Sequence, residues 1–228
     1  MLTFDDLLLR AHALAGDGRR RVLLGIAGSP GAGKTTLAER LVRELDHAAH
    51  VPMDGFHLAD VELDRLGRRD RKGAPDTFDA AGYAALLRRL REDTDDVVYA
   101  PGFERVLEQP IAGAVPVPPS ARLIVTEGNY LLLGTGAWTH VRAELDEVWF
   151  CETDEEQRIR RLIARHEEFG KGYAEAVAWV ERSDRRNAEL VAATREGADL
   201  VVALDCPHGD GHHCAGGGLG ATGADADG

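Results

Sequence analysis

The sequence is poor in cysteine and has no long hydrophobic run. Its three cysteines, Cys151, Cys206 and Cys214, are too few and too irregularly spaced for a disulfide framework, which is typical of a reducing compartment. No apolar run approaches the ~20 residues of a transmembrane helix. The first residues, MLTFDDLLLRAHAL, carry acidic side chains among the apolar ones, unlike a signal peptide. We therefore expect a cytoplasmic protein with no membrane partner.

Positive charge is also scarce. The 27 lysines and arginines are outnumbered by 39 aspartates and glutamates, which gives a net charge of −12. Because a nucleic-acid backbone needs a basic surface, we expect no nucleic-acid partner, and a small molecule instead. Only Lys34, Lys72 and Lys171 are lysines, so the position of each is informative. The sequence does not fix the oligomeric state, and a homodimer is one arrangement that it allows.

Short apolar runs alternate with amphipathic segments over residues 1–205. The apolar runs predict strands at 22–27, 51–53, 97–100, 123–126, 147–151 and 200–204. Helical spacing predicts helices at 3–15, 34–45, 80–92, 153–168 and 174–195. A capping box of Thr153 and Glu156 is predicted to start the fourth helix. The alternation indicates a single α/β domain with a parallel sheet of about five strands and helices on both faces.

Two segments fall outside this pattern. Residues 55–75 are polar, rich in arginine and too irregular for a plain strand or helix. Residues 206–228 are rich in glycine and histidine, and we expect a disordered tail there. Cysteines and histidines near its start could bind zinc or nickel, but their spacing matches no strong zinc pattern and incidental residues are favoured. These residues are Cys206, His208, His212, His213 and Cys214.

The segment GSPGAGKT, residues 28–35, matches the phosphate-loop pattern G-x-x-x-x-G-K-[ST] at every fixed position. It lies between a predicted strand and a predicted helix, as that loop requires. Its glycines let backbone N–H groups surround a polyphosphate, and the helix N-terminus adds partial positive charge. Lys34 would reach the β- and γ-phosphates, and the Thr35 hydroxyl would bind Mg²⁺. The predicted nucleotide-binding residues are Gly28, Ser29, Gly31, Ala32, Gly33, Lys34, Thr35 and Thr36.

Three further features suggest phosphoryl transfer, although each has an ordinary explanation. Glu127 ends a strand where phosphate-loop proteins place a second carboxylate for the metal, or it is a plain acidic strand end. Arg158, Arg161 and Arg165 share one helix face that could close over phosphates or simply be solvated. Asp54 could accept the proton of an attacking hydroxyl, or it could form a turn with the glycine that follows it.

The motifs together resemble the P-loop small-molecule kinases, which include uridine kinase, phosphoribulokinase and bacterial pantothenate kinase. The resemblance covers about residues 20–205 and is closest to bacterial nucleoside/nucleotide kinase family proteins. It implies the P-loop NTPase fold, with a lid at about 153–170. The segments that carry it are, in order, GIAGSPGAGKTTLA, VPMDGFHL, RKGAPDTFD, APGFERVLEQP, VTEGNYLLL and RRLIARH.

The resemblance also implies roles for individual residues. Asp54 occupies the place of the acceptor-side base, and Glu127 that of the residue supporting Mg²⁺. Lys72 lies in a segment similar to one near the acceptor site of pantothenate kinase, while Phe103 and Arg105 match acceptor-binding positions. His57 and Tyr130 lie close to the predicted crevice, although each of these residue types is more often structural than a ligand. The candidate substrate-binding residues are Asp54, Phe56, His57, Lys72, Phe103, Arg105 and Tyr130. The lid ends in Arg-His where uridine kinases have Arg-Asp. The uridine-contacting pattern around PGFER, residues 101–105, is incomplete, which argues against uridine itself.

The leading hypothesis is an ATP- and Mg²⁺-dependent kinase that phosphorylates a hydroxyl of a nucleoside, a sugar or a pantothenate-like alcohol. Its expected catalytic residues are Asp54, Lys34, Arg161 and Arg165. The alternative is a regulatory or metal-delivery NTPase that uses the tail, although the chain lacks the N-K-x-D motif of GTPases. A nucleotide-binding scaffold without chemistry is a third hypothesis.

Overall fold

The computed structural model describes residues 2–16, 20–92, 95–170 and 172–203. The strands are β1 (Val22–Gly28), β2 (Ala48–Pro52), β3 (Val98–Glu104), β4 (Gln109–Val117), β5 (Leu123–Gly128), β6 (Glu147–Glu152) and β7 (Leu200–Ala203). The α-helices are α1 (Phe4–Ala15), α2 (Lys34–Glu44), α3 (Asp60–Arg65), α4 (Ala80–Glu92), α5 (Trp138–Ala143), α6 (Glu155–Glu168), α7 (Tyr173–Trp179) and α8 (Arg185–Ala192). In these described ranges, no helix has the length and apolarity that a membrane crossing requires.

Five of the strands form one parallel sheet in the order β2-β5-β1-β6-β7. The predicted α/β fold with about five parallel strands is confirmed. Ile26 of β1 pairs with Glu127 of β5, and Pro52 of β2 pairs with the same residue from the other side. The carboxyl ends of β1, β2 and β5 therefore lie next to one another at one edge of the sheet.

Helices cover both faces of the sheet because its strands are apolar on both sides. Leu24 and Ile26 pack in a buried cluster with residues of α1 and α2. Leu23 and Ala27 point to the other face and pack in a second cluster with residues of α4, α5 and α8. Leu41 of α2 is fully buried, and burial of such a side chain contributes about 1.5–3 kcal/mol.

Two predicted boundaries were wrong. Met53 does not belong to β2 but begins a 3₁₀ turn, Met53–Phe56, so the strand starts and ends earlier than predicted. The cap of α6 is Asp154 rather than Thr153: the Asp154 side chain accepts a hydrogen bond from the Gln157 backbone N–H. Either residue can cap a helix, and the later one lies directly before its first turn.

The antiparallel hairpin formed by β3 and β4 is the largest departure from the predicted fold. The predicted strand at 97–100 belongs to this hairpin and not to the central sheet, and β4 was not predicted. The sequence of β4 does not indicate a strand because it contains Pro110 and Pro116, and proline is rare inside paired strands. The hairpin contacts the Met53–Phe56 turn, and it is therefore placed beside the carboxyl end of β2.

Two other segments are more finely divided than predicted. Residues 55–75, expected to be irregular, contain the short helix α3 and two 3₁₀ turns at Arg69–Arg71 and Pro75–Thr77. The helix predicted at 174–195 is α7 and α8 joined by a π-helical turn, Val180–Asp184. The expected tail, 206–228, lies outside the described residues.

Candidate active site

A cavity of about 620 Å³ opens where the carboxyl ends of β1, β2 and β5 meet. Ligands of open parallel sheets bind at such strand ends. The phosphate loop forms one side of the cavity, the β3–β4 hairpin and residues 69–73 form another, and α6 lies across it. Most of the residues predicted for the site line this single cavity: Gly31, Gly33, Lys34, Thr35, Thr36, Asp54, His57, Lys72, Phe103, Arg105, Glu127, Arg161 and Arg165.

Lys34 is held at the start of α2 by two hydrogen bonds. Its ammonium donates to the backbone carbonyl of Ser29 at 3.1 Å and to Oδ1 of Asn129 at 2.8 Å. Burial lowers the pKa of Lys34, while the negative charge of Glu127 opposes that effect. The ammonium is thus a fixed and largely desolvated donor, which suits the binding of a phosphate.

Thr35 and Glu127 present oxygen atoms side by side. The Thr35 hydroxyl donates to Oε1 of Glu127 at 3.1 Å. Glu127 is buried at the tip of β5; this burial, followed by the nearby charge of Asp54, raises its pKa. A cation would compensate the Glu127 carboxylate, and hydroxyl and carboxylate oxygens are the donors that Mg²⁺ prefers. The two residues therefore fit the predicted metal role.

Asp54 lies in the turn after β2, facing the hairpin. Its Oδ2 accepts a hydrogen bond from Nη2 of Arg105 at 3.1 Å. The turn fits against the hairpin because the next residue is Gly55: a Cβ there would lie 2.2 Å from the carbonyl oxygen of Pro101. Burial alone would raise the pKa of Asp54, but the nearby positive charges of His57, then of Arg105 and Arg165, bring it below its ordinary value. Asp54 is therefore an ionised acceptor inside the cavity.

Aromatic rings form the wall next to Asp54. The His57 ring lies 4.0 Å from that of Phe78 and 4.8 Å from that of Phe103, measured between centroids. His57 Nδ1 is 2.8 Å from the backbone carbonyl of Asp54, and burial lowers the pKa of His57. The ring thus fixes the turn that carries Asp54, and it also lines the cavity.

The arginine row of α6 is divided between two roles. Arg161 and Arg165 line the cavity. Arg158 is buried and donates to the carbonyl of Pro30 in the phosphate loop at 3.1 Å and to the Glu155 carboxylate. The row is therefore not simply a solvated face, since Arg158 fixes α6 to the loop and the other two face the cavity.

Some residues predicted for the site do not line the cavity. Phe56 packs on Tyr83, with 4.9 Å between ring centroids, and Tyr130 is buried among Phe78 and Trp138. Their size and apolarity favour the core over the cavity wall. Gly28, Ser29 and Ala32 complete the phosphate loop, but only their neighbours reach the cavity.

The structure also adds residues that the sequence interpretation missed. Asn129 holds Lys34 and lines the cavity, and its position two residues after Glu127 was a usable signal. His166 and Asp184 contact each other at 2.9 Å on the lid side, and Asn187 lies nearby on α8. No local sequence pattern marks these three residues, because they belong to different helical segments, α6, the π-helical turn and α8, that meet only in the folded chain.

No group of three or more His, Cys, Asp or Glu side chains is arranged to hold a metal ion within the described residues. The cysteines and histidines of the predicted tail lie outside them, so the suggested tail metal site stays a prediction.

Comparison with known proteins places these features in a family context, although no protein-family model matches the chain. A Schizosaccharomyces pombe protein named "Putative uridine kinase C227.14" is 33% identical over 212 residues, covering 88% of this chain and 90% of that protein. An "ATP-dependent kinase YFH7" from Lachancea thermotolerans is 27% identical and covers 80% of this chain and 65% of its own length. The crystal structure of a "putative fructose transport system kinase" from Silicibacter sp. superimposes with a TM-score of 0.80 at 35% identity, covering 89% of this chain and all of that one.

Proposed function

We propose that this chain, which belongs to the P-loop small-molecule kinase superfamily, is an ATP-dependent kinase that phosphorylates a hydroxyl of a small metabolite. One observation carries the proposal: the phosphate loop and the ionised Asp54 line the same cavity. A nucleotide-binding scaffold has no need for a carboxylate facing its phosphates. A kinase needs an acceptor for the hydroxyl proton at that place.

The phosphate loop would bind ATP, the phosphate donor. Lys34 would bind the β- and γ-phosphates of ATP, and backbone N–H groups at the start of α2 would hold the remaining oxygens. Thr35 and Glu127 would hold Mg²⁺, and phosphate oxygens and water would complete its ligands. When bound, Mg²⁺ supplies charge neutralisation for the phosphates.

On the acceptor side, the substrate hydroxyl would donate a hydrogen bond to Asp54. As the hydroxyl oxygen forms its bond to the γ-phosphorus, the bond from that phosphorus to the β–γ bridging oxygen breaks and ADP leaves. The hydroxyl proton passes to Asp54. Arg161 and Arg165 would neutralise charge on the phosphoryl group in transit, since α6 holds both in the cavity.

The acceptor is a nucleoside, a sugar or a pantothenate-like alcohol. The names of the relatives are consistent with this range, because one names a uridine kinase and another a fructose transport system kinase. The incomplete uridine-contacting pattern around residues 101–105 argues against uridine itself.

An ATP-consumption screen tests the proposal. Nucleosides, sugars, ribosides and pantothenate are added singly to the protein with ATP and Mg²⁺, and Asp54→Asn serves as the blank. We expect at least one compound to stimulate ADP formation in the wild type and to yield a phosphorylated product by mass spectrometry. ATP binding with no compound stimulating ADP formation would favour the scaffold hypothesis and refute the kinase.

A further inference from the structure

Tyr83 on α4 is a fully buried residue that the transfer steps above do not use. Its hydroxyl contacts the hydroxyl of Thr126 on β5, directly before Glu127. Its ring packs on that of Phe56, with 4.9 Å between centroids, and Phe56 belongs to the same 3₁₀ turn as Asp54. One side chain therefore contacts both elements that carry the carboxylates of the site.

The hydrogen bonds that start at Tyr83 run in one direction. The Thr126 hydroxyl donates to the backbone carbonyl of Val51 at 2.5 Å. Because a threonine hydroxyl has only one proton to donate, Thr126 accepts from the Tyr83 hydroxyl. Val51 of β2 and Thr126 of β5 are partners in the parallel sheet, and the next pair along is Pro52 and Glu127. The two hydrogen bonds therefore tie α4, β5 and β2 together one residue before Glu127.

A second contact joins β5 to the turn just beyond Glu127. Gly128 packs so closely against Met53 that a Cβ on the glycine would lie 2.5 Å from the Cβ and the Sδ of Met53. Glu127 is thus held by the residue on each side of it, and Asp54 directly follows Met53. Together with the chain between them, these contacts close a ring around the two carboxylates. Its members are Tyr83, Thr126, Gly128, Met53 and Phe56.

The two carboxylates need such a support because like charges repel each other. They are near enough to interact, since burial and then the negative charge of Asp54 raise the pKa of Glu127. Burial also raises the pKa of Tyr83, and the charges of both carboxylates add to that effect. Tyr83, Thr126 and Met53 are fully buried, and a close-packed interior passes a displacement on to its neighbours. A change at the Tyr83 hydroxyl should therefore reach both carboxylates.

We propose that Tyr83 is a positioning residue for phosphoryl transfer, which acts through Thr126 to hold Glu127 at a fixed spacing from Asp54. This inference rests on the proposed kinase function, in which Glu127 supports the metal at the phosphates and Asp54 holds the acceptor hydroxyl. Reacting atoms must approach to about 3–3.5 Å before transfer. Tyr83 touches neither reactant and sets the spacing of the two groups that do.

Variants of the two hydroxyls test the inference with an acceptor found by the screen. Tyr83→Phe keeps the ring on Phe56 and removes only the hydroxyl, and it should lower kcat on the order of 10-fold. A misplacement of about 1 Å can cost about 10²-fold, and the loss of one hydrogen bond should move the end of β5 by less. Thr126→Val should lower kcat at least as much. Thr126→Ser keeps the hydroxyl and should retain most of the rate.

A double variant and two controls separate positioning from a loss of stability. If Tyr83 acts through Thr126, Tyr83→Phe combined with Thr126→Val should lose no more kcat than Thr126→Val alone. Tyr99→Phe removes an exposed hydroxyl from β3. Val141→Ala weakens the buried cluster that contains Tyr83, at a residue that does not line the cavity. Both controls should keep the wild-type kcat well below Tm, although Val141→Ala should lower Tm itself.

Crystal structures give a readout that needs no turnover. The spacing of the Asp54 and Glu127 carboxylates is measured in the wild type, in Tyr83→Phe and in Val141→Ala. It should change in Tyr83→Phe and stay at the wild-type value in Val141→Ala. The affinity for ATP without added metal should be the same in all three proteins, because Lys34 and the phosphate loop are untouched.

The outcomes separate this inference from the kinase proposal. A wild-type kcat in Tyr83→Phe, or an unchanged carboxylate spacing, would overturn the inference and leave the kinase intact. An equal loss of kcat in Val141→Ala would do the same, because the effect would then follow from stability alone. A wild-type protein that phosphorylates no acceptor would refute the kinase, and the crystal structures would then decide whether Tyr83 holds the two carboxylates.

Discussion

Replacing Asp54 by asparagine tests the centre of the proposed reaction. The carboxylate is 28% exposed, lines the cavity and accepts a hydrogen bond from Arg105 at 3.1 Å. Asparagine keeps the size of the side chain but cannot take up the proton of the attacking hydroxyl. The expected result is a fall in kcat with ATP affinity unchanged, because Asp54 faces the acceptor and Lys34 holds the phosphates.

The size of the effect follows from the surroundings of Asp54. A general base contributes about 10²–10⁴-fold to a rate. The positive charges around Asp54 lower its pKa, and a weaker base contributes less. We therefore expect a loss near the lower end, about 10²-fold, which corresponds to about 2.7 kcal/mol of transition-state stabilisation. Folding should change little, since the partner Arg105 is 39% exposed and an exposed pair contributes at most about 1 kcal/mol.

The assay is steady-state ADP formation with an acceptor found by the screen, together with nucleotide titration and thermal denaturation of the same samples. Asp76→Asn is the control, because it removes a carboxylate that is 46% exposed and paired with Arg71, away from the cavity lining. It should retain wild-type kcat. Wild-type turnover by Asp54→Asn would reduce Asp54 to a turn residue, and a parallel loss of ATP affinity would place it on the donor side.

Three further variants test the loop and the core. Lys34→Ala should weaken ATP binding or transfer about 10- to 100-fold, the contribution of a charge-assisted hydrogen bond; unchanged titration and turnover would contradict the phosphate-loop role. Gly31→Ala forces a side chain onto a residue with φ +82° and places its Cβ 2.9 Å from the Arg158 carbonyl oxygen and the Leu162 side chain. It should lower both Tm and ATP affinity, whereas Gly134→Ala, where a Cβ meets no atom within 4 Å, should do neither. Burial lowers the pKa of His50 below 6.5, and among the described residues its Nε2 has no hydrogen-bond partner. Because His50 has the higher pKa in the unfolded chain, the unfolded chain takes up the proton first as the pH falls. The free energy of unfolding therefore decreases as the pH drops through about 6.5. His50→Leu should flatten the decline of Tm between pH 8 and pH 5, and identical slopes would refute this account.

The sheet and the phosphate loop could be predicted because their signals are local. The run 22–27 is apolar on both faces, as a strand covered on both sides must be, and β1 is buried along its whole length. The loop pattern lies within eight consecutive residues, so its chemistry needs no knowledge of distant contacts. Helix α4 was predicted to the residue, since its apolar positions keep a strict helical spacing.

The parts that were not predicted depend on contacts between distant residues. The hairpin strand β4 is half exposed and interrupted by prolines, so it lacks the apolar pattern of a buried strand. Tyr130 was expected at the substrate, but its ring packs in the core while its hydroxyl binds the carbonyl of Gly73. A sequence shows that an aromatic residue lies near a strand end. It does not show to which side the ring turns.

This difference between local and distant signals divides the cavity into two halves. The half that would bind the phosphate donor is formed by residues adjacent in sequence, such as Lys34 and Thr35, and it therefore depends on an intact phosphate-loop motif. The acceptor half joins Asp54 to Arg105, 51 positions away, and Lys72 to Glu108, 36 positions away. Substitutions in residues 55–75 or in the hairpin can therefore reshape the acceptor wall without disturbing the phosphate loop. Relatives named for different acceptors are what such a division would produce.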